Sequence, residues 1–308
     1  MAERETIQDI LMSPDRYGVF TPVVVAPPTV SPGPGKNPPK IPKPPKPPKK
    51  SPLAVTLLGR LGRRQLRASY PVGYTGAGTS FDPTSISGVV GWWDASNAGS
   101  ITSSGGLVSQ WNDLSGQGRA VTQSVDIWKP TTGTHTINGL NALKFANTKF
   151  IKYQVATAFI TGTTLTVFAV ASLGASSDTF ARVVSVDAAG SRDDDNVASS
   201  AALYRTTTNI YAFRNSANLS GKAITYDQPF QATTLFNGTN HTMYLDGVAG
   251  TPVSSSGSFG VKRIILGADN TGENIDGTIG EVLIYSTALG STDRAAVEAY
   301  LKAKWGTP

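Results

Sequence analysis

The stretch TIGEVLIYSTALGSTDRAAVEAYLKAKWG, Thr278 to Gly306, decides the fold class. Its first nine residues, TIGEVLIYS, are rich in β-branched and aliphatic side chains and end at turn-forming residues, which reads as a strand. The second half reads as a helix. Ser291 or Thr292 can cap it, Asp293 lies in its first turn, Lys302 and Lys304 lie in its last, and Gly306 follows. Val297, Tyr300, Leu301 and Trp305 recur at helical spacing, so one face is apolar and packs on a sheet. One strand and one closing helix therefore end the chain.

Upstream of this stretch the same strand signature recurs with no helical pattern between. VVGWWDA (89–95), LVSQWND (107–113), ALKFA (142–146), TLTVFAVASL (164–173) and RVVSVDA (182–188) are strand candidates. AALYRT (201–206), NIYAFRN (209–215), FQATTLFN (230–237), HTMYLDG (241–247) and VKRIILGA (261–268) complete the set. NGTNHTMYLDGV reads as a hairpin with turns at Asn237-Gly238 and Asp246-Gly247. Many short strands joined by turns predict an all-β, antiparallel two-sheet sandwich with one C-terminal helix.

Composition divides the 308 residues in two. Residues 1–75 hold 12 of the 27 Lys and Arg, 4 of the 21 Asp and Glu, and 15 of the 20 Pro. The net charge of +6 therefore belongs to the N-terminal arm. Cys is absent, which excludes disulfides, thiol nucleophiles and Cys-ligated zinc. No apolar run approaches the roughly 18 residues of a membrane span. MAERETIQDILMSPDRYG lacks the apolar core of a secretory signal, so a chain acting outside a cell is expected to leave by lysis or in a particle.

The arm reads in three parts. Residues 1–30 form a docking peptide in which Tyr17, Phe20, Val23, Val24 and Val25 have no neighbouring sequence to form a core with. They are expected to bury in another chain, as an added strand. Residues 31–52 contain PPKIPKPPKPPKK (38–50), which favours polyproline II, since Pro fixes φ and donates no hydrogen bond. At three residues per turn, Lys40, Lys43, Lys46 and Lys49 share one edge, roughly 9 Å apart. The rod is a solvated spacer or a strap on an acidic surface. Residues 53–80 are basic and interleave Leu57, Leu58, Leu61 and Leu66 with Arg60, Arg63, Arg64 and Arg67. Phosphates, a membrane surface and an acidic protein surface all suit such a segment, and the protein surface ranks first.

In residues 81–308 a family pattern emerges. GWWDASNAGSIT, VSQWNDLSGQGRAVTQ, NGLNALKF, TVFAVASL, FNGTNHTMYLDG and IGEVLIYSTALGSTDRAAVEAYLKAKWG follow one another over residues 86–307. Together they resemble the concanavalin A-like, laminin G-like jelly rolls found in bacteriophage virion proteins and bacterial surface proteins. The resemblance implies a lectin-like jelly roll without naming a ligand, because this fold hosts sugar-binding, protein-binding and structural members.

Candidate sites follow from residue type and setting. Trp128, in the loop stretch SVDIWKP, is the candidate for stacking on a sugar. Asp193, Asp194 and Asp195 in SRDDDNVASS are candidate calcium ligands, set against an ordinary solvated acidic loop. No other cofactor is expected. Trp92 and Trp93 alternate faces of one strand, Trp111 and Trp305 are expected in the core, and Asp113 and Ser115 are expected to bond a local turn. No enzyme is expected. Glucan hydrolases of similar fold set carboxylates at i, i+2 and i+4 on one strand, whereas Glu273, Asp276 and Glu281 are three and five apart.

The reading reached from sequence is a structural virion protein of a tailed bacteriophage. Residues 1–70 would dock on capsid or tail proteins, and the jelly roll would face outward as a decoration, head fibre or host-surface adhesin, in contact with host glycan. A homo-oligomer is expected by analogy with virion appendages, and nucleic acid is not an expected partner. The alternative is a carbohydrate-binding module of a bacterial surface protein.

Overall fold

The strand Thr164–Leu173 is the axis of the domain. Both of its alternating sets are apolar enough to be buried, and both are buried. Leu165, Val167, Ala169, Ala171 and Leu173 face a large core, while Phe168 and Val170 face a smaller cluster on the other side. A strand apolar on both faces needs cover on both. The computed structural model supplies it with a second β-layer on one face and the C-terminal helix on the other. The structure describes residues 81–146, 148–189, 201–214, 217–218, 222–269 and 272–308. Tyr17, Phe20, Val23–Val25, the four period-three lysines and Asp193–Asp195 lie outside the described residues.

The first layer runs Asn240–Leu245, Pro229–Asn237, Thr164–Leu173 and Gly277–Tyr285, all antiparallel. Beyond it, Val89–Asp94 pairs one half of the 277–285 strand and Leu140–Phe145 the other. The second layer runs Asn209–Arg214, Ala201–Thr206, Arg182–Asp187, Arg263–Leu266 and Ile151–Gln154. It continues through Val121–Thr122 and Leu107–Trp111 to Ile101–Ser104. Thr131–Ile137 bonds to Leu140–Phe145 and touches Leu107, which joins the two layers into one hydrogen-bonded network. Val167 from the first layer and Val184, Val186 and Leu203 from the second meet in the same core.

The eleven expected strand runs all form, with bounds shifted by a few residues, and VKRIILGA contributes to Phe259–Val261 and Arg263–Leu266. The hairpin turns form as read, with Gly238 at φ 99°, Asp246 at φ 51° and Gly247 at φ 78°. Short strands such as Ile101–Ser104, Thr131–Ile137 and Ile151–Gln154 were not foreseen. The cap also differs. The helix spans Ser291–Trp305, so Ser291 and Thr292 are already helical and Gly290 is the N-cap, without a side-chain bond. At the other end Gly306 takes φ 64°, and its N–H bonds to the Lys302 carbonyl. Asn138 Nδ2 donates to the Lys304 carbonyl at 2.9 Å, satisfying a C-terminal acceptor that the helix leaves open.

What seats the helix is one carboxylate. Val297, Leu301 and Trp305 are fully buried against Phe168, Val170, Leu283 and Tyr285. Among them Glu281 has no exposed surface. Its Oε1 accepts from Trp92 Nε1 at 2.7 Å and from the Tyr300 hydroxyl at 2.8 Å. Its Oε2 accepts from Lys304 Nζ at 2.7 Å and Trp305 Nε1 at 2.6 Å. Lys304 also reaches Asp94 Oδ2 at 2.6 Å. Burial pushes the Glu281 carboxyl above its ordinary range, and the Lys304 ammonium opposes that shift. Burial and the Glu281 charge drive the Tyr300 phenol far upward, so it stays protonated and donates.

A bulge makes this seat possible. The ladder to Thr164–Leu173 skips Gly280, pairing Ile279 with Ala171 and Glu281 with Val170. The extra residue lets Ile279 and Val282 both face the large core while Glu281 and Leu283 face the helix. A Cβ on Gly280 would sit 2.8 Å from Trp305 Cζ3, so only Gly admits the indole. Gly280→Ala is expected to cost about 1–3 kcal/mol through overpacking. Glu281→Ala is expected to cost about 3–5 kcal/mol, because it leaves three buried neutral donors without their acceptor and Lys304 with Asp94 as its one remaining carboxylate. Urea unfolding read by tryptophan emission measures both. Wild-type midpoints in the two variants would contradict this seat.

Candidate functional site

Three of the five tryptophans are sealed: Trp93, Trp111 and Trp305 have no exposed surface. Trp92 is half-buried, with its N–H on Glu281. Trp128 differs at 39% exposed. It ends a 3-10 turn, Asp126–Trp128, whose N-cap Val125 has no side chain able to cap. Ile127 in the same turn is 70% exposed. The indole is nonetheless held from below. Phe150 stacks on it with centroids 5.8 Å apart and planes 29° from parallel, and the Phe150 N–H donates to the Trp128 carbonyl at 3.0 Å. Lys149 Nζ donates to the neighbouring Lys129 carbonyl at 2.8 Å, and Lys129 pairs with Asp126.

This stacked pair forms a wall of a cavity of about 430 Å³. Lys152 and Ile265, paired on adjacent strands, form its floor, and Asp269, Gly272 and Asn274 belong to the same lining. The floor belongs to the second layer. Ile151, Ile264 and Leu266 point into the large core, so Lys152 and Ile265 point out. The cavity therefore opens on the outer face of the second layer, while the helix covers the outer face of the first. Asn274 is fixed by its N–H to Asp178 Oδ2 at 2.8 Å and by its own amide on the Gly272 carbonyl. Asp269 is 4% exposed, and its Oδ1 accepts from the backbone N–H groups of Gly272 and Glu273. A flat, half-exposed aromatic face beside a few fixed polar groups is the chemistry of a pocket for a small polar ligand with an apolar side.

Sequence reasoning singled out Trp128 but not Phe150, Lys152, Ile265 or Asn274. Phe150 and Lys152 lie in NTKFIKYQ, whose Ile151–Gln154 strand carries too little alternation to be seen. Asp113 does bond a local turn, accepting from the N–H groups of Trp92, Ser115 and Arg119. Asp187, near the acidic loop, is buried and pairs with Arg263 at 2.9 Å. Among the described residues no group of three or more His, Asp or Glu side chains is placed to hold a metal ion. A second polar cavity of about 370 Å³ is lined by His135, Asn138, Lys144, Ser172, Asp227 and Thr278.

The carboxylates weighed for hydrolysis are dispersed. Glu281 lies under the helix, Asp276 Oδ1 pairs with Lys144 at 2.6 Å, and Glu273 Oε2 pairs with Arg182 at 3.0 Å.

No protein-family model matches the chain, and no curated protein matches it as a relative. Solved structures do. A Trypanosoma rangeli sialidase in complex with the inhibitor DANA has a TM-score of 0.48 at 12% identity, over 72% of this chain and 34% of that one. A GH54 α-L-arabinofuranosidase gives 0.49 at 16% identity, over 65% and 51%. Domain 4 of a GH43 extracellular arabinanase from Geobacillus stearothermophilus, in complex with arabinotriose, gives 0.47 at 13% identity, over 69% and 97%. The chain thus spans about a third of the sialidase and half of the arabinofuranosidase.

These findings correct one expectation. The sequence points to a chain that is not an enzyme, yet the three solved structures named above are glycoside hydrolases or a domain of one. The physical fault lies in the test applied. Spacing along one strand examines a single way of presenting two carboxylates, whereas a glycosidase needs only the right separation between them, from whichever strands or loops supply it. Strand spacing alone therefore excludes no glycosidase chemistry in this chain.

Proposed function

We propose that the chain is an arm-anchored display protein whose β-domain, a lectin-like jelly roll, binds a glycan in the cavity beneath Trp128. The observation that carries this reading is the indole itself. It is the most exposed tryptophan of the domain, it is braced by Phe150, and it faces polar groups fixed by backbone bonds. Burying one flat face of a sugar ring on such an indole, with hydroxyls directed at Asn274 and nearby backbone, uses both halves of the site.

The carrier we propose is a tailed-bacteriophage particle. Residues 1–70 would lie on capsid or tail proteins, the domain would stand on the particle surface, and several copies would act together, so that weak single sites gain by multivalency. The support is the composition of the arm, which combines apolar residues at Tyr17, Phe20 and Val23–Val25 with period-three lysines in a Pro-rich stretch. A carbohydrate-binding module of a bacterial surface protein uses the same site on a different carrier.

Two measurements check the two halves. On a glycan array the wild type should bind a defined subset of glycans, and Trp128→Ala should weaken that binding roughly tenfold, about 1.4 kcal/mol, without lowering the melting temperature. Unchanged binding by the variant would overturn the site. For the arm, Lys40, Lys43, Lys46 and Lys49 changed together to Gln should release the protein from its particle at lower salt than wild type. Exposed charge pairs are screened over about 8–10 Å near physiological salt. Identical release across a salt series would leave the rod a spacer only.

A further inference from the structure

The Trp128 cavity does not end at Lys152. The same lysine lines a second cavity, of about 340 Å³, on its other side. That cavity is walled by Ser109, Gln110, Thr122, Gln123 and Ser124. The register explains the adjacency. Thr122 pairs with Lys152, and Lys152 pairs with Ile265, so the three stand side by side on adjacent strands. All three point away from the core, because Val121, Ile151, Ile264 and Leu266 point into it. The two cavities are therefore the ends of one trough across the outer face of the second layer. One end is aromatic, the other carries hydroxyls and amides, and a lysine stands between.

The lining holds one cation, Lys152, and one carboxylate, Asp269, and they are not paired with each other. Lys152 is half-buried, and among the described residues its ammonium makes no ion pair or hydrogen bond. Lys149, beside Phe150 in sequence, bonds the Lys129 backbone carbonyl. Asp126 is taken by Lys129, and Glu273 by Arg182. Asp269, the one carboxylate in the lining, is 4% exposed and turned onto backbone N–H groups. An ammonium that stands between two polar cavities without a direct ion-pair partner among the described residues meets its needs with water until an anion arrives. A carboxylate at that point gains a charge-assisted bond, about twice the strength of a neutral one.

We infer that the trough takes an acidic oligosaccharide, with one sugar stacked on Trp128 and the carboxylate of a uronic-acid-type unit on Lys152, the next unit lying over Thr122 and Ser124. This rests on the glycan reading of the Trp128 cavity and adds the charge class and the direction of the chain.

The test uses the full chain and matched probes. Tetragalacturonate and its methyl ester differ only in charge, and other uronate oligomers paired with their esters form the rest of the panel. By calorimetry at low salt the wild type should bind acid about tenfold tighter than ester for at least one pair, and the gap should shrink as salt rises. Lys152→Gln should bind both members with the affinity of the ester, while Lys152→Arg should keep the preference. Trp128→Ala should weaken acid and ester alike. Equal binding of acid and ester by the wild type, or a gap that survives in Lys152→Gln, would overturn the acidic-ligand inference while leaving the glycan reading standing on its Trp128 dependence. Failure of every uronate and every ester to bind would overturn this inference, and an empty glycan array beside it would overturn the glycan reading as well.

Discussion

A buried Glu281 cannot be left alone, and most of the domain's geometry follows from that. Stripping a carboxylate of water costs several kcal/mol unless its acceptor sites are filled and a cation stands near. Four donors fill them here, from Trp92 in the first strand of the domain and from Tyr300, Lys304 and Trp305 in its last helix. Such an arrangement adds little net stability over an apolar core of the same shape. Its effect is on geometry. The helix has one rotation and one height at which all four bonds form, and the Gly280 bulge opens the space for the indole that makes the fourth.

Seating the helix uses up one outer face of the domain. The outer face of the first layer is consumed by Val297, Leu301 and Trp305. The outer face of the second layer carries Thr122, Lys152 and Ile265, overhung by the Trp128 turn. Two layers, one of them covered by the helix, give this domain two unlike outer faces. Val125, Ile127 and Trp128, in and just before one 3-10 turn, are all exposed. A turn that presents three large apolar side chains to water is costly to keep without a partner, and a ligand that covers the indole removes part of that cost.

The sequence showed the architecture better than the site, for physical reasons. Strand runs such as TLTVFAVASL announce themselves by continuous apolar character, and the helix by its spacing and its terminal charges. The strand Ile151–Gln154 is four residues long with mixed polarity, so neither period 2 nor an apolar run marks it, and Lys152 stayed hidden with it. Trp128 could be singled out because a tryptophan in a Pro- and Asp-flanked loop has no strand partner to bury against. Glu281 was weighed as a possible catalytic carboxylate because only its near neighbours in sequence were visible. Its partner Trp92 is 189 residues away, and no local pattern encodes that pairing. The helix cap moved to Gly290 because the tertiary seat, and not the capping side chain, fixes where the helix begins.

The central claim is that the ligand face is the outer face of the second layer, at Trp128, and that the helix side plays no part in binding. The five indole N–H signals in a proton–nitrogen correlation spectrum report on both faces at once. Titration with a bound glycan should shift the Trp128 signal, assigned by its loss in Trp128→Phe, and leave those of Trp92 and Trp305 in place. Shifts at Trp92 and Trp305 with Trp128 unmoved would place the ligand on the helix side and contradict the account.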